Sequence, residues 1–123
     1  MELSHTDIKP DHSRKPFFDS DDLDSSSYKI VCAECGKDIL ASCRSIYKGA
    51  WKIDWQFSDE EEALVNEFYC IGSRNVSLTR GWPSLTKHKC LDCGTNYVLV
   101  ANFHEYRNSV YQIVIQGVAR VKT

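Results

Sequence analysis

Two short hooks constrain this chain more than anything else in it: Cys32-Ala33-Glu34-Cys35-Gly36 and Cys90-Leu91-Asp92-Cys93-Gly94. Each is a Cys-x-x-Cys closed by glycine, and 54 residues separate the inner cysteines. A turn of this length lets two thiolates converge on one ion, and the trailing glycine permits the positive φ that aims backbone amides at the sulfurs. Two such hooks make one tetrahedral site. Four thiolates suit Zn²⁺, which takes soft ligands without redox chemistry, and they leave no coordination position open for a substrate water. The expectation is one structural zinc ion held by Cys32, Cys35, Cys90 and Cys93. The competing reading, disulfides or a thioredoxin-like redox pair, is weighed down by the repeated spacing.

A chain of 123 residues has room for one domain and buries roughly two thirds of its surface on folding. At 42% hydrophobic and 26% charged the composition is ordinary globular, so a metal cross-link assists the core without replacing it. Residues 1 to 27 lack the apolar run of a secretory leader, and no stretch approaches the ~18 apolar residues of a membrane helix. The expected compartment is the cytosol, where reduced thiols favour metal over disulfide. The formal charge of −2 hides an asymmetry. Residues 1 to 27 carry Glu2, Asp7, Asp11, Asp19, Asp21, Asp22 and Asp24 against Lys9, Arg14 and Lys15. With four thiolates and a zinc ion counted, the remaining body is near neutral, without the basic excess of a general nucleic-acid binder.

Those charges, Pro10, Pro16 and the run Ser25-Ser26-Ser27 predict a disordered acidic tail over 1–27, with Phe17-Phe18 able to lean on the domain. The zinc-binding domain is expected over 28–123. Tyr28 to Val31 and Ile39 to Ala41 read as the strands entering and leaving the first hook, with Gly49 as the turn that closes this unit. Trp51, Ile53, Trp55 and Phe57 alternate with Lys52, Asp54 and Gln56, which predicts a strand with one aromatic face. Ser58-Asp59-Glu60-Glu61 is a capping box, so one short helix is expected over about 58 to 69, ending near Gly72 and buried through Leu64, Val65 and Phe68. After the second hook, Asn96 to Ala101 reads as a buried strand, Asn102 to Asn108 as a polar turn, and Val110 to Val121 as a long strand. Tyr111, Ile113, Ile115, Ala119 and Val121 would share a face of it, and Gly117 marks a bulge or a close approach. The fold class is thus mainly β, a small zinc-stabilised antiparallel domain of β-tent or zinc-ribbon type with one short helix.

Two further clusters bear on function. Arg74, Arg80, Lys87, His88 and Lys89 form a stretch without acids that also holds Trp82, a pattern able to grip a phosphate backbone and stack a base, or to grip an acidic protein. Cys43 and Cys70 are left over from the hooks. Cys43, followed by Arg44, is the better candidate for a reactive thiol, although most spare cysteines are small core residues.

The hooks, with Val31-Cys32-Ala33-Glu34-Cys35-Gly36 followed by Ile39-Leu40, and the element Gly81-Trp82-Pro83-Ser84, resemble the zinc-anchored β-tent group: Yippee-like proteins, the thalidomide-binding domain of cereblon and the B-type methionine sulfoxide reductases. The reductase likeness implies a catalytic cysteine beyond the second hook, and this chain has no cysteine after Cys93. The cereblon likeness implies an aromatic cage, for which Trp51, Trp55 and Trp82 are the available tryptophans. With a closed metal shell, no nucleophile beside a base and no phosphate-cradling glycine loop, the chain is expected to be a binding module rather than an enzyme. The expected partner is a protein. Nucleic acid at the 74–89 segment and a small ligand in the aromatic cage are the alternatives.

Overall fold

The computed structural model of the chain describes residues 2–6, 17–69, 82–107 and 110–122. In chain order the elements are β1 (Glu2–His5), β2 (Phe18–Ser20), β3 (Ser27–Val31), β4 (Asp38–Ser42), α1 (Cys43–Ala50), α2 (Asp59–Phe68), β5 (Trp82–Lys89), β6 (Asn96–Arg107) and β7 (Val110–Lys122). The fold is mainly β and antiparallel, as the sequence predicts, with two helices among the described residues rather than one.

The larger sheet runs β1-β7-β6-β5, with β2 also paired to β7. β6 is its centre. Tyr97, Leu99, Ala101 and Phe103 of β6 enter one core and Val98 and Val100 the other, which is why this strand reads as a continuous apolar run. The first core lies under the β3–β4 hairpin and α1, through Ile30, Ile39, Ala41, Cys43 and Ile46. The second lies under α2, through Phe57, Val65 and Tyr69. The sheet is therefore a middle layer, with the hairpin and α1 on one face and α2 on the other.

α1 was not expected, and its cause is local. Ser42 sits in extended conformation and accepts the Ser45 N–H at its side chain, a helix N-cap, and Cys43, Ile46 and Gly49 then fall on one buried stripe. Gly49 is helical and not a turn. A Cβ there would lie 2.7 Å from Ser84 Oγ and 2.8 Å from the Leu85 carbonyl, so glycine is what lets α1 reach β5.

The predicted aromatic strand over 51–57 is a correction. Trp51 caps α1, and Lys52 and Asp54 take φ of 54° and 53°, which no strand allows. With α1 ending at Ala50 and α2 starting at Asp59, this linker carries the chain from one face of the sheet to the other. Only Phe57 of the four alternating residues is buried, while Trp51 is 48% exposed. α2 itself forms as predicted, with the capping box of Ser58 and Glu61 closed in both directions, and it ends at Phe68 with Tyr69 as its cap.

Of the stretch read as an acidic tail, residues 2–6 and 17–27 are described, and they include two short strands. Leu3 pairs with Val121 and Phe18 with Ile113, so β1 and β2 cover the outer edge of β7 at its two ends. Phe18 and Leu23 are buried in the first core, and Arg44 clamps Asp24 with hydrogen bonds of 3.1 and 3.0 Å. Composition pointed to solvation, but two aromatics and a leucine suffice to anchor so short a stretch.

β6 continues through the predicted polar turn to Arg107. In β7, Val100 pairs with Gly117 and Ala101 with Ile115, so Gln116 is an extra residue in the ladder. The bulge inverts the alternation. Tyr111, Ile113 and Ile115 face the first core, joined there by Val118, whereas Ala119 and Val121 face the second, not the single face predicted for Tyr111, Ile113, Ile115, Ala119 and Val121. Gly117 serves a close approach as well: a Cβ on it would stand 2.6 Å from the Tyr69 ring.

Candidate metal centre

Each hook joins two antiparallel strands, β3 to β4 and β5 to β6, and the two are built alike. In the first, the Gly36 N–H donates to the Cys32 carbonyl at 2.9 Å and the Cys32 N–H to the Lys37 carbonyl at 2.8 Å. In the second, the Gly94 N–H donates to the Cys90 carbonyl at 2.8 Å and the Cys90 N–H to the Thr95 carbonyl at 2.9 Å. Gly36 and Gly94 take φ of 76° and 79°, the left-handed conformation that these turns demand. The shared first core then presses the hairpins together at their hook ends, with Cys32 and Cys90 both buried in it.

The result is a cluster in which the Sγ atoms of Cys32, Cys35, Cys90 and Cys93 all lie within 4.8 Å of one another. Cys32 and Cys93 sulfurs are 3.6 Å apart and those of Cys35 and Cys90 are 3.5 Å apart, far beyond a disulfide bond. Four thiolates bound tetrahedrally at the ~2.3 Å of a zinc–sulfur bond would be separated by about 3.8 Å, close to what is seen. All five described cysteines are free thiols. The four hook cysteines are thus positioned to hold one metal ion, as the sequence predicts. Cys32 and Cys90 face the core while Cys35 and Cys93 are exposed, so the cluster sits at the surface.

The neighbours tune the sulfurs unequally. The Tyr97 hydroxyl donates to Cys32 Sγ at 3.3 Å and accepts the Ala33 N–H at 2.8 Å, bridging the ligand and its own hook. This hydroxyl, aided against burial by nearby backbone amides, holds the Cys32 thiol down to about 6. The Thr95 hydroxyl, 3.2 Å from Cys93, and the Thr95 amide hold Cys93 below the usual thiol range. For Cys35 the Lys37 amide favours the thiolate, but the adjoining sulfurs and desolvation outweigh it and push the thiol up to about 12. Crowded sulfurs resist full ionisation together, and a divalent cation among them removes that resistance. On the outer side, Arg120 pairs with Glu34 of the first hook.

Sequence reasoning located the four clustered cysteines and missed this supporting set. Tyr97 read as a core strand residue; its only signal is its place three residues past Gly94, on the strand leaving the hook.

Among the described residues, the remaining predicted ones do not assemble into one site. Trp51 and Trp82 meet at 5.8 Å between ring centres, tilted by 49°, with Trp82 55% exposed. Trp55 instead packs on Phe57 at 5.1 Å, under the Lys52 ammonium, and lines a groove to which neither other tryptophan contributes. The three-tryptophan cage is therefore not formed as predicted, because the aromatic linker is not a strand. Of the basic stretch, Arg74 and Arg80 lie outside the described residues, as does Cys70. Lys87 pairs with Glu61 at 3.1 Å and lies over the Phe57 ring, and Lys89 is exposed. The described part of this stretch, Trp82 to Lys89, is β5, and its pleat puts Trp82 and these two lysines on opposite faces. His88, kept neutral by desolvation that lowers it to about 4, bonds Thr86 Oγ1 at 2.8 Å. Cys43 is buried in the first core with its thiol pushed up to about 11 by desolvation, the opposite of an activated nucleophile.

No described helix is long and apolar enough to cross a membrane. Compared with models of protein families, with curated proteins and with solved structures, the chain matches none, so geometry alone carries the functional reading.

Proposed function

We propose that the chain is a structural-zinc module, working in the cytosol, that recognises another protein. The observation that carries the metal half is the cluster of four sulfurs within 4.8 Å, held by two hooks with the same amide latches. Such a site has four anionic ligands and no open position, which suits zinc in a structural role. The recognition half rests on the surface. Leu40, Ile53, Trp51 and Trp82 are 66%, 43%, 48% and 55% exposed, more apolar area in large side chains than a chain with no partner gains from showing. A nucleic-acid partner draws less support from the described residues, since Lys87 is engaged by Glu61 and turned away from Trp82.

Native mass spectrometry of gently purified protein tests both halves. The expected result is one zinc ion per chain, protection of Cys32, Cys35, Cys90 and Cys93 from alkylation, and a co-purifying protein. A chain carrying iron, coloured by thiolate-to-iron charge transfer, or one lighter by the hydrogens of two disulfides, would overturn the zinc assignment.

A further inference from the structure

The two hooks also decide which backbone groups of the molecule are left without a partner. In an antiparallel ladder, residues alternate between exchanging both hydrogen bonds with the neighbour and pointing both outward. The Cys90 N–H turns toward β6, donating to Thr95. At period two, His88, Thr86 and Ser84 turn the same way, and Leu85, Lys87 and Lys89 point their N–H and C=O groups off the open edge of β5. Two other features agree. The Leu85 carbonyl lies 2.8 Å from where a Cβ on Gly49 would stand, outside that edge, and Pro83, which has no N–H, falls on the outward register. The same counting applies to β4. Cys43 N–H donates to the Ser26 carbonyl at one end of its hairpin and Cys32 N–H to the Lys37 carbonyl at the other. Ile39 and Ala41 therefore face β3, and Leu40 and Ser42 point outward.

These two edges open into one groove. Leu40 and Ser42 of β4 and the run Leu85 to His88 of β5 line a space of about 330 Å³, with α1 and the linker Ile53 to Phe57 as its other walls. α1 covers the edge at Leu85. Among the described residues, no partner takes the backbone N–H or C=O of Leu40 or of Lys87. The walls are open and mixed: Leu40 and Ile53 are exposed and stand with Trp55 and Phe57 as the apolar part, while Ser42, Ser45, Gln56 and Thr86 line the rest. The charges are already matched, Lys48 with Asp54 at 3.6 Å and Lys87 with Glu61 at 3.1 Å. The groove thus offers main-chain hydrogen bonds and apolar pockets, and no net charge.

We propose that this groove binds an extended, uncharged segment of a partner protein by strand addition. The segment pairs its main chain with the outward groups of Lys87 and Leu40 and sets alternate apolar side chains against Leu40, Ile53 and Trp55. This rests on reading the protein as a recognition module, and gives that reading a place and a mode.

The test selects short random peptides on the zinc-loaded full chain, then titrates the enriched peptides into isotope-labelled protein. The expected result is that the Lys87 and Leu40 amides shift and become slow to exchange. Lys87→Met, which frees Glu61 but keeps the N–H, is the side-chain control, and Lys87→Pro, which also removes the outward donor, should weaken binding roughly tenfold or more beyond it. N-methylating alternate peptide bonds of the ligand should abolish binding. Enriched peptides whose shifts centre on Trp51 and Trp82, peptides indifferent to N-methylation, or the same amide shifts appearing on self-association would each overturn strand addition while leaving recognition standing. No enrichment, with no co-purifying protein, would remove both.

Discussion

Replacing Tyr97 by phenylalanine asks how far the metal centre depends on a group outside its ligand set. The side chain is fully buried, and the substitution deletes one oxygen without opening a cavity. Two hydrogen bonds go with it. The Ala33 N–H belongs to an exposed residue that water can reach, so its loss costs little. The bond to Cys32 Sγ cannot be replaced, because Cys32 is only 2% exposed. A hydrogen bond to a charged acceptor contributes about 1.5–3 kcal/mol, and here it forms in full only when the sulfur is a thiolate. Supporting residues around metal sites typically change affinity by about 10–100-fold, equivalent to about 1.4–2.8 kcal/mol, so two independent routes agree on roughly 2 kcal/mol.

The assay is competition for zinc between the protein and a chromogenic chelator, with Tyr97→Phe beside the wild type. A Kd raised by about 10–100-fold is expected. The metal-free proteins should differ less in stability, since a neutral thiol accepts a weaker bond. Equal zinc affinity, or a loss of stability that is the same with and without metal, would refute the claim that Tyr97 acts through the Cys32 thiolate.

Other outcomes follow from the same contacts. Gly36→Ala meets no atom within 4 Å but must hold φ near 76°, so it should cost about 1–2 kcal/mol of conformational strain, whereas Gly36→Asn should recover much of this, both read by denaturant unfolding of the zinc-loaded chain. Gly117→Ala should cost more, about 1–3 kcal/mol or beyond, because the new methyl would stand 2.6 Å from the buried Tyr69 ring; Tyr69→Leu in the same chain should relieve it. Glu61 is held below its usual 4.5 by the Ser58 amide and Lys87, so its contribution is present at neutral pH and lost as pH falls through its folded-state value. Glu61→Gln should therefore be the less stable chain at pH 7, with the gap closing below about pH 4.5; a gap independent of pH would show that the Lys87 pair contributes nothing. Cys43, buried and with its thiol raised to about 11, should be the slowest described cysteine to alkylate in the folded protein, and a rate at or above that of a free peptide thiol would show the core at that point to be open.

What the sequence made legible was whatever is fixed within a few residues. The hooks, the capping box at Ser58 and the strands around the first hook are local patterns, and each appears where it was read. The failures have a common cause. Alternation over Trp51 to Phe57 is genuine in the sequence, but a two-residue period specifies a strand only if a neighbour offers a ladder, and this segment is spent crossing the sheet edge between two helices. Helix α1 hid for a related reason: Gly49 is a poor helix former on its own, and only the approach of β5 explains it. The Gln116 bulge moved Ala119 and Val121 to the opposite core by inserting a single residue, which periodicity cannot foresee.

The same distinction explains why the cysteine cluster could be found in advance and the groove could not. A hook carries its chemistry in its own residues, so two copies suffice to predict the site. The groove has no motif, because what it offers is backbone. It exists where β5 and β4 end their respective sheets, and its donors and acceptors are assigned by counting outward from Cys90 and Cys32, the residues that the hooks pin in register. If zinc fixes that register, loss of the metal should loosen the groove even though no ligand lies in it. Amide exchange at Leu40 and Lys87 in metal-free protein should then rise together with exchange at Cys32 and Cys90. Unchanged exchange at those two positions, with the hooks already open, would mean that packing in the first core alone holds the edges in place.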